Sequence, residues 1–197
     1  MTARTTTTAR PVSISALALI SAAAAAIGII DAVLGMTISA LAYSAPPVWW
    51  NSALLAVMHL GQLAAAIAVS QAGLAGSGVT ARIGLVLWIL GSVGFAVGEL
   101  VYLVPGGPSD IVFQIASIAT LVGMALAGVA VLRTGRWAGP GRFLPLITGL
   151  YLIPLTVVII ATHAALAALA GYSVLWLLLS LSLYVVTRAP QPAQAHR

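Results

Sequence analysis

The chain has 197 residues, of which 61% are apolar and 6% charged, with a formal charge of +5. A soluble fold of that length has no interior large enough for so much apolar side chain, so lipid must cover the remainder. Cysteine and lysine are absent, which excludes disulfides, iron–sulfur clusters, thiol nucleophiles, Schiff bases and phosphate-binding loops built on a lysine.

About 20 helical residues, at about 1.5 Å each, cross a hydrocarbon core of about 30 Å. Six apolar stretches present themselves, at residues 13–38, 52–72, 82–104, 110–132, 143–168 and 172–187. The expected fold is therefore all-α, an integral membrane bundle of six transmembrane helices over residues 13–187. The Thr-rich opening, residues 1–12, and the closing residues 188–197 have little to fold around and are expected to be disordered cytoplasmic tails.

The first stretch competes with a cleavable signal peptide, because Arg10 precedes an apolar run and Ala40-Leu41-Ala42 resembles a cleavage site. Its length, and Asp31 inside it, favour a retained helix. Turn chemistry marks the next breaks: Ala45-Pro46-Pro47, then Gly73 to Gly78, then Pro105-Gly106-Gly107-Pro108, then the Gly- and Pro-containing run Arg133 to Arg142. From Phe143 to Thr187 only Ala170-Gly171 offers a tight turn, and placing the fifth break there leaves a short last helix of about 16 residues.

The basic residues fix an orientation. Arg4 and Arg10 precede the first helix, Arg82 opens the third, Arg133, Arg136 and Arg142 separate the fourth from the fifth, and Arg188 and Arg197 follow the sixth. All eight arginines fall on one side of an alternating bundle, which by the positive-inside bias is the cytoplasmic side, with both termini there. The basic charge is thus a topology signal and not a nucleic-acid footprint. Trp49-Trp50 at the outer edge and Trp137 at the inner one suit anchoring at headgroup depth.

Ionisable groups at membrane depth are costly in hydrocarbon and point to function. Asp31 lies on the first helix, His59 with Gln62 on the second, Glu99 with Tyr102 on the third, Gln114 on the fourth and His163 on the fifth. Counted from the outer ends, His59, Glu99, Gln114 and His163 converge within the outer half of the bilayer, and Asp31 lies in the same half. Spacings of three, four and seven align Ser92, Glu99 and Tyr102, His59 with Gln62, and Gln114 with Ser117. Asp110 starts the fourth helix, where a carboxylate favours the free N–H groups. The third helix carries Gly84, Gly91, Gly94 and Gly98, small residues that let a neighbouring helix approach and that offer a face for self-association.

Three readings of this cluster stand side by side. As a site, it binds a small solute or exchanges protons from the extracytoplasmic side, as a transporter or receptor does. As a cofactor centre, His59, Glu99 and His163 are candidate ligands for a divalent metal, or the two histidines for haem, in a membrane enzyme acting on a lipid or quinone-like substrate. As glue, the two acids pair with the two imidazoles and only hold helices together. No HExxH or similar motif selects the second, and whether the chain is an enzyme stays open. The two halves of the chain show no repeat that would mark a duplicated transporter.

The fourth connection reads Arg133-Thr134-Gly135-Arg136-Trp137-Ala138-Gly139-Pro140-Gly141-Arg142-Phe143-Leu144-Pro145-Leu146, with Gly149-Leu150-Tyr151 just after. It resembles the RxGRWxGxxRxxPL loop of small multi-pass actinobacterial membrane proteins of unknown function, over about a tenth of the chain. The resemblance implies a bacterial plasma-membrane location and a lineage, without an activity. Physically, Arg133, Arg136 and Arg142 beside Trp137 suit anionic phospholipid headgroups, at about 1 kcal/mol per arginine, as well as setting the topology.

Overall fold

The computed structural model describes residues 13–42, 48–104, 109–161 and 164–188. Six helices run through them: α1 Ile14–Ala42, α2 Val48–Gln71, α3 Val79–Tyr102, α4 Ser109–Thr134, α5 Leu144–Ala161 and α6 Ala165–Arg188, with a 3-10 turn at Pro140–Phe143 before α5. Each is long and apolar enough to cross a membrane. Large apolar side chains cover the outer faces, among them Leu19, Ile83, Leu90, Leu100, Ile115 and Val185. With water excluded, a helix satisfies its backbone groups internally, which is why so apolar a chain adopts this structure throughout. The chain is a polytopic membrane protein.

The first four helices start and end within a few residues of the expected positions, α5 starts and α6 ends where expected, and the fifth break falls elsewhere. Among the described residues α5 ends at Ala161 and α6 begins at Ala165, so Ala170-Gly171 is no break. Gly171 lies inside α6, where the absence of a side chain makes room for the Tyr151 hydroxyl of α5. The last helix is consequently a full span of 24 residues, and it includes Arg188. His163, the proline-rich connections 45–47 and 105–108, and both expected tails up to residue 12 and from residue 189 fall outside the described residues.

Each helix packs against the next in sequence, and α6 returns to α1, so the six form a closed ring. A further contact of α2 with α6 crosses the ring and divides it. On one side α1 fills the angle between α2 and α6. On the other, α2 through α6 enclose a larger space. The α1 to α6 closure carries a polar latch: Ser21 Oγ and Ser180 Oγ lie 2.7 Å apart, and Trp176 Nε1 donates to Ser21 Oγ at 3.0 Å.

Small residues close the half of the ring that carries the described arginines. Gly123 of α4 lies against the backbone of Trp88 in α3, Gly91 of α3 against Thr120 of α4, and Gly149 of α5 against Met124 of α4. A Cβ at Gly123 would overlap the Trp88 amide nitrogen. The glycines Gly84, Gly91, Gly94 and Gly98 of α3 all face α4 within the same chain and serve its internal packing. Trp88 and Trp176 meet edge to face at 5.8 Å in the centre, both without solvent exposure.

The loops at this end clasp one another. Gly73 and Gly76 adopt positive φ, 63° and 76°, which lets the chain double back after α2 with little of the strain a side chain would add. Thr134 Oγ1 donates to the Leu74 carbonyl at 2.7 Å and Arg136 Nη1 to the Gly73 carbonyl at 3.0 Å. Trp137 is only 1% exposed and belongs to the core. It is therefore not the headgroup anchor its position at a helix end suggested, because the turn around Gly139 folds its ring inward, beside Gly141. Trp49, in the first turn of α2, does face outward.

Candidate binding cavity

The space enclosed by α2 to α6 is a cavity of about 880 Å³ at the end opposite the described arginines. His59 of α2, Glu99 of α3, Asp110, Gln114 and Ser117 of α4, and Tyr172 of α6 line it, and the rest of its wall is predominantly apolar. Side chains on nearly every face of α5 between Leu152 and Ile160 border it, so this stretch of α5 stands beside open space. Pro154 lies within that stretch. Its missing N–H leaves one carbonyl of the preceding turn without its usual donor, which weakens the helix at that point. Ile118 of α4 and Ile160 of α5, which also line the cavity, are 63% and 81% exposed.

His59 and Glu99 form the polar centre. Both are 6% exposed, and His59 Nε2 stands 4.0 Å from Glu99 Oε1, an ion-pair distance too long for a direct hydrogen bond. The ring is oriented from two sides: it stacks on Phe95 with centroids 4.6 Å apart, and Gln62 Oε1 lies 3.1 Å from Nδ1. A carbonyl oxygen can only accept, so in this orientation of the Gln62 amide Nδ1 is the donor, and in the neutral tautomer that goes with it a lone pair on Nε2 faces Glu99. The hydroxyl of buried Ser52 faces the Glu99 carboxyl, and Asp31 is near enough to act on it electrostatically.

Asp31 belongs to a neighbouring arrangement. It is 2% exposed on α1 and is not among the residues lining this cavity. With the Asn51 amide turned so that its nitrogen faces the carboxylate, it donates to Oδ1 and Oδ2 at 3.1 and 3.0 Å. Asn51 and Ser52 were missed in the sequence because α2 begins four residues earlier than its apolar run, which brings both into its first turns. Tyr172 was missed because the break near residue 170 put it at a helix end. It is 3% exposed in the cavity wall, and its hydroxyl has no hydrogen-bond partner among the described residues.

Of the residues expected to converge, His59, Glu99 and Gln114 share the cavity, and Gln62 supports it from behind. Tyr102 does not join them. It is exposed one turn beyond Glu99, since three residues advance a helix by about 300° and carry its side chain off the lining face. His163 cannot be placed. Glu99 stands 4.0 Å from an imidazole, beside which the glue reading places it, whereas Asp31 meets the Asn51 amide and not an imidazole. Among the described residues no three His, Asp or Glu side chains gather to hold a metal, and His59 is the sole imidazole. At the opposite end Arg133 and Arg136 are exposed, and Arg142 lies over the Phe143 ring at 5.0 Å.

No family model, no curated protein and no solved structure matches this chain.

Proposed function

We propose that this protein is a membrane-embedded binding protein of the bacterial plasma membrane, receptor- or transporter-like, which takes a small and largely apolar solute into the cavity from the extracytoplasmic half of the bilayer. Glu99 and His59 hold the polar group of that solute. The observation that carries this reading is the buried His59 and Glu99 pair opening on a cavity of about 880 Å³ with mainly apolar walls. Concave, mostly apolar sites of roughly 300–1,000 Å³ with a few convergent polar groups are the usual form of small-molecule sites.

The side of entry is supported by charge. Arg82, Arg133, Arg136, Arg142 and Arg188 lie toward the opposite end, the cytoplasmic one by the positive-inside bias. Arg133 and Arg136, exposed there, are the residues suited to anionic headgroups. Beyond the cavity the bundle is filled by Trp88, Trp176, Met124 and Leu179, which favours binding from one side over a continuous channel.

A photoreactive eight-carbon alcohol carrying a diazirine tests the cavity. Irradiated with the purified protein in lipid nanodiscs, it should leave adducts on peptides containing Glu99 and Tyr172, and Ser117→Trp should lower that yield at least tenfold. Adducts spread over the lipid-facing surface and indifferent to Ser117→Trp would exclude the reading.

A further inference from the structure

The chemistry of the cavity wall goes further than its shape, and the ligand class it selects rests on the cavity being a binding site. Its charged groups are unbalanced. Among the described residues Glu99 and Asp110 line it, no arginine does, and the sole base is His59. The three acids of the chain, Asp31, Glu99 and Asp110, all lie toward this end.

The arrangement of acceptors is equally one-sided. With Nδ1 donating to Gln62 Oε1, the neutral tautomer of His59 presents an acceptor at Nε2, 4.0 Å from the acceptor Oε1 of Glu99. Two acceptors face each other across a gap too wide to close by a direct hydrogen bond and suited to a shared donor. An ammonium nitrogen about 2.8 Å from each would donate one N–H to each and supply the counter-charge that a buried carboxylate needs.

The remaining wall fits the rest of such a molecule. Phe95, Phe113 and Tyr172 contribute aromatic rings to the lining, with Phe95 and Phe113 at 6.3 Å, and ring faces attract cations out of water. Leu55, Leu121 and Leu152 offer an apolar bed. Tyr172 contributes to the same wall from α6, and its buried hydroxyl has no hydrogen-bond partner among the described residues. Ile118 and Ile160, lining the cavity yet more than 60% exposed, leave the α4 and α5 side open to lipid.

We infer that the ligand class is the amphiphilic amine: a protonated amine on an apolar body, its ammonium set between His59 Nε2 and Glu99 Oε1 and its body along α4 and α5.

Protection against the diazirine alcohol decides this. Octylamine, octanol and octanoate share one apolar body and differ in the head, and at neutral pH the first is a cation and the third an anion. Octylamine should protect the Glu99 and Tyr172 peptides at a concentration at least tenfold below octanol, and octanoate should not protect them. In Glu99→Gln, read on the Tyr172 peptide and relative to that variant's own unprotected yield, the advantage of the amine should shrink to about twofold or less. Octanol protecting as well as octylamine in the wild-type protein overturns the amine assignment and leaves the cavity reading standing. So does an undiminished amine advantage in Glu99→Gln. Absence of cavity labelling in the wild-type protein overturns both. The wild-type comparison stands by itself should Glu99→Gln fail to fold.

Discussion

A carboxylate inside a bilayer costs several kcal/mol unless donors face it, and Asp31 depends on the two N–H bonds of Asn51. Hydrogen bonds to a charged group are worth about 1.5–3 kcal/mol each in water-soluble proteins and often less between membrane helices. Asn51→Ala should therefore destabilise the bundle by about 2 kcal/mol, read as a lowered thermal midpoint in mild detergent. Adding Asp31→Asn to it should recover most of the loss, because an amide without a partner is cheaper to bury than a charge. An unchanged midpoint in Asn51→Ala would show that Asp31 does not depend on that amide. The contrast with Glu99 is chemical: Asp31 has the Asn51 amide and stands outside this cavity, whereas Glu99 lines it, 4.0 Å from His59 Nε2.

Helix pairs are set by how closely their backbones approach, and α3 with α4 is the pair with the most extensive contact. Gly123 leaves no space for a methyl group, since the first atoms a Cβ would meet are Trp88 backbone, which cannot move without moving the helix. Gly123→Ala should cost about 3 kcal/mol. Gly78→Ala should change stability by less than about 0.5 kcal/mol, because Gly78 has nothing within 4 Å and φ −66°. Thermal melts of the two variants side by side test the pairing, and equal midpoints would refute it.

The same scale shows what could be read from sequence. Six spans were legible because apolar length is a direct consequence of bilayer thickness, and the turns at Gly73 to Gly78 and after Arg133 because glycine and proline punctuate them. The break between α5 and α6 was not. Ala170-Gly171 has turn composition, but a glycine in a membrane helix as often admits a neighbouring side chain, here Tyr151. At the site, helical spacing found His59, Gln62, Glu99 and Gln114, since depth and face follow from a regular rise. It lost Tyr172 with the misplaced break, took Tyr102 for a lining residue one turn too far, and read Trp137 as an anchor because the fold of a loop is not periodic.

At the scale of the whole molecule the bundle is divided by function of space: one half is closed by glycine-mediated packing around Trp88 and Trp176, and the other is held open around the cavity. The proposed orientation puts the open half outward. In a chain without cysteine, single substitutions report it without background. Val104→Cys, at the cavity end, should react with a membrane-impermeant maleimide in intact cells, and Ser77→Cys, between α2 and α3, only after permeabilisation. The reverse pattern would invert the topology and with it the side from which a ligand arrives.

The closing contact of the ring joins the first helix to the last, and that places a condition on time. During synthesis α1 enters the bilayer beside α2 alone, with Ser21 still lacking the Ser180 hydroxyl and the Trp176 indole it later meets. Four further helices must be made before that seam can shut. The cavity waits on the same event, because α6 supplies Tyr172 to its wall and the α2 contact that divides the ring. A nascent chain stopped before α6 would thus be inserted with its cavity incomplete, and the binding proposed above would come only with the final span.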